Sequence, residues 1–237
     1  MQQFQVIAAD PPWSFGDKLT MSDVARGASS NYDVMSIEDI KKLPIKDFAD
    51  PNGSILALWV PSSLLQEGMD TMKAWGFTHK QTYVWVKTKK DPFKKIRDIF
   101  LDLWKIHDPF KDKVTPRKFI QNMKKAIQAI TGAALLKDTL AFGMGRLFRQ
   151  THEFCLIGIN NKKIYKYLEN KSQRSVSFAE NLKHSAKPED LQDSLDIMFP
   201  KGKKLELFAR RVRPDWTCLG NEICNGEDIR VSLAKLI

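Results

Sequence analysis

Only three cysteines and four histidines occur in 237 residues. Cys155, Cys218 and Cys224 are odd in number, and no histidine pairs with a cysteine or an acid at ligand spacing. This scarcity argues against a disulfide framework and a metal site. Cys155 and Cys218 fall in apolar, strand-like runs, so buried, reduced thiols are expected. No run of about 18 apolar residues occurs, and no membrane-spanning helix is expected. Met1–Asp10 lacks the basic start and long apolar core of a secretory leader, which predicts a cytoplasmic location. A Gly-x-Gly-x-x-Gly loop is missing too, removing the usual cradle for a dinucleotide phosphate.

Positive charge, by contrast, is in excess. The formal net charge is +10, and 14 Lys and Arg stand against 6 Asp between Lys87 and Asp138. Eight of the ten net charges therefore sit in one segment, which favours a polyanionic partner. With 43% hydrophobic residues, the chain has enough apolar material for one sizeable core, and a single domain over residues 1–237 is expected.

Apolar runs of strand length occur at Gln5–Asp10, Ser54–Val60, His79–Lys87, Phe154–Ile159, Leu205–Ala209 and Trp216–Gly220. Between them, helical signals follow Ser36 as N-cap with Asp39 three residues on, run through Ser62–Trp75 to Gly76, and span Glu189–Met198 behind Pro188. This alternation predicts an α/β fold with a mostly parallel central sheet and helices on both faces. Residues 90–138 break the rhythm. Helical spacing at Phe93–Ile106 and Pro116–Ile130, punctuated by Pro109 and Pro116, predicts an inserted basic helical hairpin. Ser14–Asp33 and residues 160–186 read as surface loops.

Asp10-Pro11-Pro12-Trp13 stands at the end of the first strand. Ligands of open α/β sheets bind beyond the carboxyl ends of strands, so this tetrapeptide is the first candidate site. Asp10 can accept a hydrogen bond from an amino group, and the Pro11 carbonyl, stiffened by Pro12, can accept a second. Trp13 offers a flat face to an extruded base. The alternative is a solvated turn with Trp13 as a core anchor.

The chain resembles the MT-A family of S-adenosylmethionine-dependent N6-adenine methyltransferases, the class marked by Asp-Pro-Pro-Trp. The likeness extends to Gly143–Glu153 with the Phe154–Gly158 strand, to His184–Glu189, and to Lys204–Arg210 with Pro214–Glu222. It covers roughly residues 1–87 and 139–237 in the circularly permuted order, catalytic motif first. It implies a Rossmann-like methyltransferase fold, S-adenosyl-L-methionine as cofactor, and Asp10, Pro11, Pro12 and Trp13 as the catalytic group. By the same resemblance Ala9, Asp10, Lys187, Glu206, Phe208, Arg210, Asn221, Glu222, Asp228 and Ile229 would hold the cofactor. Lys187 would meet its carboxylate, Asn221 and Glu222 its ribose, and Asp228 with Ile229 its adenine. The bland alternatives are a solvated Lys187, an Arg210–Glu206 ion pair, and Asp228 as a helix cap.

In the basic insert and near it, Lys94, Lys95, Arg97, Arg117, Lys118, Lys124, Lys125, Arg146 and Arg149 are candidates for nucleic-acid phosphates. The compact chain resembles bacterial and phage enzymes, so an adenine-specific DNA methyltransferase that flips its target base is the preferred expectation. RNA is the alternative substrate, and a catalytically silent nucleic-acid-binding subunit the alternative role. A homodimer or a heteromeric partner is left open.

Overall fold

A computed structural model of the chain describes residues 2–14, 34–94, 97–98, 101, 115–130, 139–141, 143, 147–181 and 186–237. Residues 1–85, 153–177 and 185–237 form one compact unit; residues 86–152 and 178–184 form a second. The expected insert at about 90–138 falls within the second unit, and of the expected loop Ser14–Asp33 only Ser14 is among the described residues.

The first unit is built on a sheet. In chain order its strands are β1 (Val6–Ala9), β2 (Ile55–Val60), β3 (Thr78–Thr88), β4 (His152–Ile159), β5 (Val176–Glu180), β6 (Lys204–Leu207) and β7 (Trp216–Leu219), with β3, β4 and β5 reaching into the second unit. Their spatial order is β5-β3-β4-β2-β1-β6-β7. β1 pairs parallel with β2 and β6, and β6 pairs parallel with β7; β2 and β4 run antiparallel. The expected α/β fold with a mostly parallel sheet is therefore the observed one. Every residue of β1 and β2 is buried, as central strands covered on both faces must be. That is why they read as continuous apolar runs rather than alternating ones.

The helices follow their local signals. α1 (Ile37–Lys42) starts at Ser36, whose hydroxyl accepts from the Asp39 N–H at 3.1 Å and donates to the Asp39 carboxylate at 2.7 Å. Asp in the place of the usual Glu is too short to reach the cap's own N–H and bonds the hydroxyl instead. A short α2 (Ile45–Phe48) follows Pro44. The expected helix over Ser62–Trp75 begins as a 3-10 turn, Ser62–Leu64, before α3 (Leu65–Ala74). It stops at Gly76, whose φ of +82° suits only a residue without a side chain. In the second unit, α4 (Pro116–Ile130) is present. There Phe119, Asn122 and Met123 are half-buried, whereas Ile120 is 55% exposed. α5 (Asp190–Met198) and α6 (Ile229–Ala234) follow, and of the expected helix Phe93–Ile106 the described residues 94, 97, 98 and 101 are helical.

One expectation is corrected here. Residues 160–186 are not all loop: a 3-10 turn, Lys162–Lys166, anchors itself through Ile164, which is 1% exposed, and β5 adds an edge strand. Most of its residues are exposed or only half-buried, so its sequence lacks the apolar run that marks a central strand. The core gathers Phe4, Ile7, Ile40, Phe48, Leu56, Leu58, Trp75 and Leu205 among others, with Trp13 inside it. Cys155 is buried as expected, whereas Cys218 is only half-buried; both are free thiols.

Candidate active site

Asp10 emerges where β1 must stop, since neither Pro11 nor Pro12 can donate to a ladder. The turn that follows uses its carbonyls at once. Pro11 O accepts from the Trp13 N–H at 2.9 Å, and Pro12 O accepts from the Met35 N–H at 2.9 Å. A carbonyl has two lone pairs, so Pro11 keeps one for another donor. Trp13 is 4% exposed and donates its indole N–H to the Trp59 carbonyl at 2.9 Å. This corrects the stacking role expected for it. With its ring packed in the core and its N–H engaged, Trp13 anchors the Asp10 turn to β2 and offers no free face to a base.

A small cleft opens beside this turn. Ala8, Ala9, Asp10, Trp59, Ala186, Lys187, Gln192, Glu206, Phe208, Arg210 and Arg211 line it. At its centre the Lys187 ammonium donates to both oxygens of the Asp10 carboxylate, at 2.8 and 2.9 Å. It also lies 3.3 Å from Glu153 Oε2 and 5.6 Å from the centroid of the Trp59 ring. Burial by itself would depress the Lys187 pKa, but Asp10 and Glu153 outweigh it and raise the group above its ordinary value. The ammonium therefore stays charged at any pH the protein would meet. Below it, burial pushes the Cys155 thiol well up, with Asp10 adding to the effect, which leaves that sulfur inert.

β6 supplies the opposite wall. Glu206 on this strand accepts from Gln192 Nε2 at 2.9 Å. Burial raises the Glu206 pKa, and the bond from Gln192 acts in the other direction. Phe208, just beyond the strand, has φ of +59°. A bulky residue in the left-handed region costs about 1–3 kcal/mol and persists where the surroundings enforce it, often around a ligand. The reversal carries Arg210 and Arg211 to the cleft. Arg210 Nη2 lies 4.0 Å from Asp10 Oδ2, and its Nε lies 3.5 Å from Glu222 Oε1. Arg211 donates to the Lys187 carbonyl at 3.0 Å and pairs with Glu189.

The structure thus brings together Ala9, Asp10, Lys187, Glu206, Phe208 and Arg210 of the expected cofactor set, with Glu222 joined through Arg210. Lys187 is not the solvated side chain of the alternative reading, and Glu206 pairs with Gln192 rather than with Arg210. Asn221 is exposed and does not line the cleft. Asp228 departs from expectation. It caps α6 by accepting from the Arg230 N–H at 2.9 Å and pairs with the Arg230 guanidinium at 2.8 Å. Ile229, 4% exposed, belongs to the core. Neither lines the cleft, because the helix they begin packs its first turn inward.

Sequence reasoning missed Trp59, Glu153, Gln192 and Arg211. Trp59 was hidden in a run already explained as a buried strand. Glu153 reaches the site because β4 is antiparallel to β2, with Phe154 opposite Val60, so the start of β4 lies at the same end as the tip of β1. Gln192 carried one legible signal, a polar residue between the buried Leu191 and Leu195 of α5.

Of the expected phosphate contacts, Arg117, Lys118, Lys124, Lys125 and Arg149 are exposed. Lys94 is paired with Asp98 at 2.7 Å, and Arg97 with Asp91 at 2.9 Å. Lys95 and Arg146 lie outside the described residues.

Comparison with known proteins adds a family to this geometry. The MT-A70 family pattern matches residues 4–107 and 125–222. A rice protein (Oryza sativa subsp. japonica) described as a probable N(6)-adenosine-methyltransferase MT-A70-like is 23% identical over 223 residues, 93% of this chain and 23% of its own length. The Type II methyltransferase M.MunI of Mycoplasma sp is 23% identical over 238 residues, covering 94% of this chain and 78% of its own. The N6-adenosine-methyltransferase non-catalytic subunit MTB of Arabidopsis thaliana is 37% identical over 89 residues, 37% of this chain and 11% of its own. The chain spans about a quarter of the length of the rice relative.

Proposed function

From the chain's membership of the MT-A70 family, we propose that it is an S-adenosylmethionine-dependent methyltransferase acting on the N6 amine of adenine in a nucleic acid, with DNA as the preferred substrate. One observation carries the reading: a carboxylate at the tip of a buried strand, gripped by a buried ammonium inside a cleft.

The donor set fits the cofactor. S-adenosylmethionine supplies an electrophilic methyl group on a sulfonium and carries a carboxylate, an ammonium and a ribose diol. Arg210 offers a cation to the carboxylate. Glu206 offers an acceptor to hydroxyl or ammonium donors, and Phe208 an apolar face. Glu222, and Asn221 beyond the cleft, reach ribose hydroxyls if the turn after β7 closes.

Asp10 and Pro11 hold the target amine. A carboxylate has about four lone-pair positions. Lys187 takes one on each Asp10 oxygen, which leaves a second on each for an amine N–H. The spare lone pair of Pro11 O accepts the other N–H. Two acceptors fixed in advance align the nitrogen lone pair with the methyl group and supply rate through orientation. Glu153 balances Lys187, so the ammonium orients Asp10 without neutralising it outright. The target adenine leaves its helix to reach this position. Exposed Arg117, Lys118, Lys124, Lys125 and Arg149 bind backbone phosphates. The preference for DNA rests on M.MunI, whose length this chain nearly spans; the rice name supports RNA as the second reading.

Labelled S-adenosylmethionine with matched DNA and RNA oligonucleotides tests the proposal. Wild-type protein is expected to label adenine N6 in DNA more than in RNA, and Asp10→Ala to lose about 10²-fold or more. Label confined to RNA selects the second reading. No label in either, and no binding of the cofactor, supports a silent subunit of the kind the MTB match represents.

A further inference from the structure

Buried polar side chains are almost always hydrogen-bonded, because an unpaired one has given up water for nothing. Two polar atoms on residues lining the cleft break this rule, Gln192 Oε1 and Trp59 Nε1. Their residues are 3% and 2% exposed. One is an acceptor and the other a donor, so they ask for complementary groups from a single ligand or from two neighbouring ones.

The Gln192 amide has a defined orientation. Its Nε2 donates to Glu206 Oε1 at 2.9 Å; turned over, it would set two oxygens at that separation. Oε1 is therefore the free end, an acceptor with no donor, on a helix whose neighbouring residues Leu191 and Leu195 are committed to the core. A glutamine held only to bond Glu206 needs no second polar atom there. Leucine or methionine would fill the same space without stranding one.

We propose that Gln192 is a cofactor-binding residue whose Oε1 accepts a hydrogen bond from a hydroxyl or ammonium donor of S-adenosylmethionine, beside Glu206. The proposal rests on the reading above that this cleft holds the cofactor. Gln192 then has two duties, orienting Glu206 with its amino group and binding the ligand with its oxygen. Trp59 Nε1 is the matching donor on the far wall.

The test is calorimetry with S-adenosylhomocysteine, which needs no nucleic acid and no turnover. Gln192→Met removes both polar atoms at similar volume, and Gln192→Asn keeps an amide with a donor for Glu206 and an acceptor oxygen. Wild-type protein is expected to bind, Gln192→Met to bind roughly 10-fold more weakly, the size of one hydrogen bond, and Gln192→Asn to recover part of the difference. 5′-Methylthioadenosine, which lacks the amino-acid end, then identifies the donor. A Met penalty that persists assigns it to the nucleoside, and one that vanishes assigns it to the ammonium. Equal binding by wild type and Gln192→Met overturns the proposal, as does an equal loss in the Met and Asn variants, which would make the side chain a packing element. Absence of binding by wild type overturns the reading of the cleft itself, and this assignment with it.

Discussion

Two clusters in the first unit gather carboxylates around one cation, and they differ in what lies next to them. At the cleft, Lys187 holds Asp10 and Glu153 with side chains 11%, 20% and 20% exposed. Behind it, Arg213 holds Glu189 at 2.5 Å, Asp193 at 2.5 Å and Asp196 at 2.7 Å. Asp196 also accepts the Trp216 indole N–H at 3.0 Å and pairs with Lys204 at 3.3 Å. The second cluster is an architectural weld. Its acids stand at i, i+4 and i+7 along one face of α5 and its N-terminal cap, so a single guanidinium from the turn before β7 ties helix to sheet. The first cluster draws its members from a strand tip, an antiparallel strand and a loop, and it faces open space. Similar ion pairs therefore have opposite meanings: one is saturated by its own chain, and the other leaves acceptors pointing where a ligand can arrive.

That contrast can be tested from its strongest consequence downward. Lys187→Met should remove the group that orients Asp10 and lower kcat by about 10²–10³-fold in the labelled-methyl assay. A rate near wild type would place Lys187 among the structural pairs. Arg213→Met should act on the other axis. Losing a charged hydrogen-bond network costs about 2 kcal/mol after allowing for partial exposure of the acids, seen as a melting point lower by about 5 °C with kcat little changed below the new melting range. A large fall in kcat in the still-folded Arg213 variant would merge the two clusters into one functional unit. The smallest effect belongs to Glu206→Gln. Burial raises this carboxyl's pKa, so the folded state is favoured by protonation: its contribution is fully present at low pH and lost as pH rises through the raised pKa. The amide variant should therefore melt slightly higher than wild type at neutral pH, and the two should converge as pH falls. A gap that widens in acid would contradict the sign.

Much of the fold was legible. β1 and β2 announced themselves as uninterrupted apolar runs, Ser36 and Asp39 marked the start of α1, and Gly76 marked the end of α3. What escaped was structure with half-exposed or mixed surfaces. β5 lies at an edge and needs no continuous apolar run. Ser62–Leu64 makes a 3-10 turn from residues that equally suit an α-helix. Around the site, Asp10 was readable because two prolines follow a buried strand, but the fate of Trp13 was not. An aromatic after a proline pair can stack on a base or fill a core, and only packing against β2 decides between them. Asp228 carried the same ambiguity between ligand and cap, and at the start of α6 it makes the bonds of a cap.

What the amino-acid order determined by itself is the set of local commitments: which segments are buried strands, where prolines and glycines end them, and that a carboxylate would stand at the tip of the first. Those follow from hydrophobic periodicity and backbone sterics, which act within a few residues. The tertiary structure alone decided partnership. Lys187, 177 residues along the chain from Asp10, Glu153 from an antiparallel neighbour and Gln192 with its unpaired oxygen meet there because hydrogen bonds and charges respond to distance in space, which local pattern does not encode.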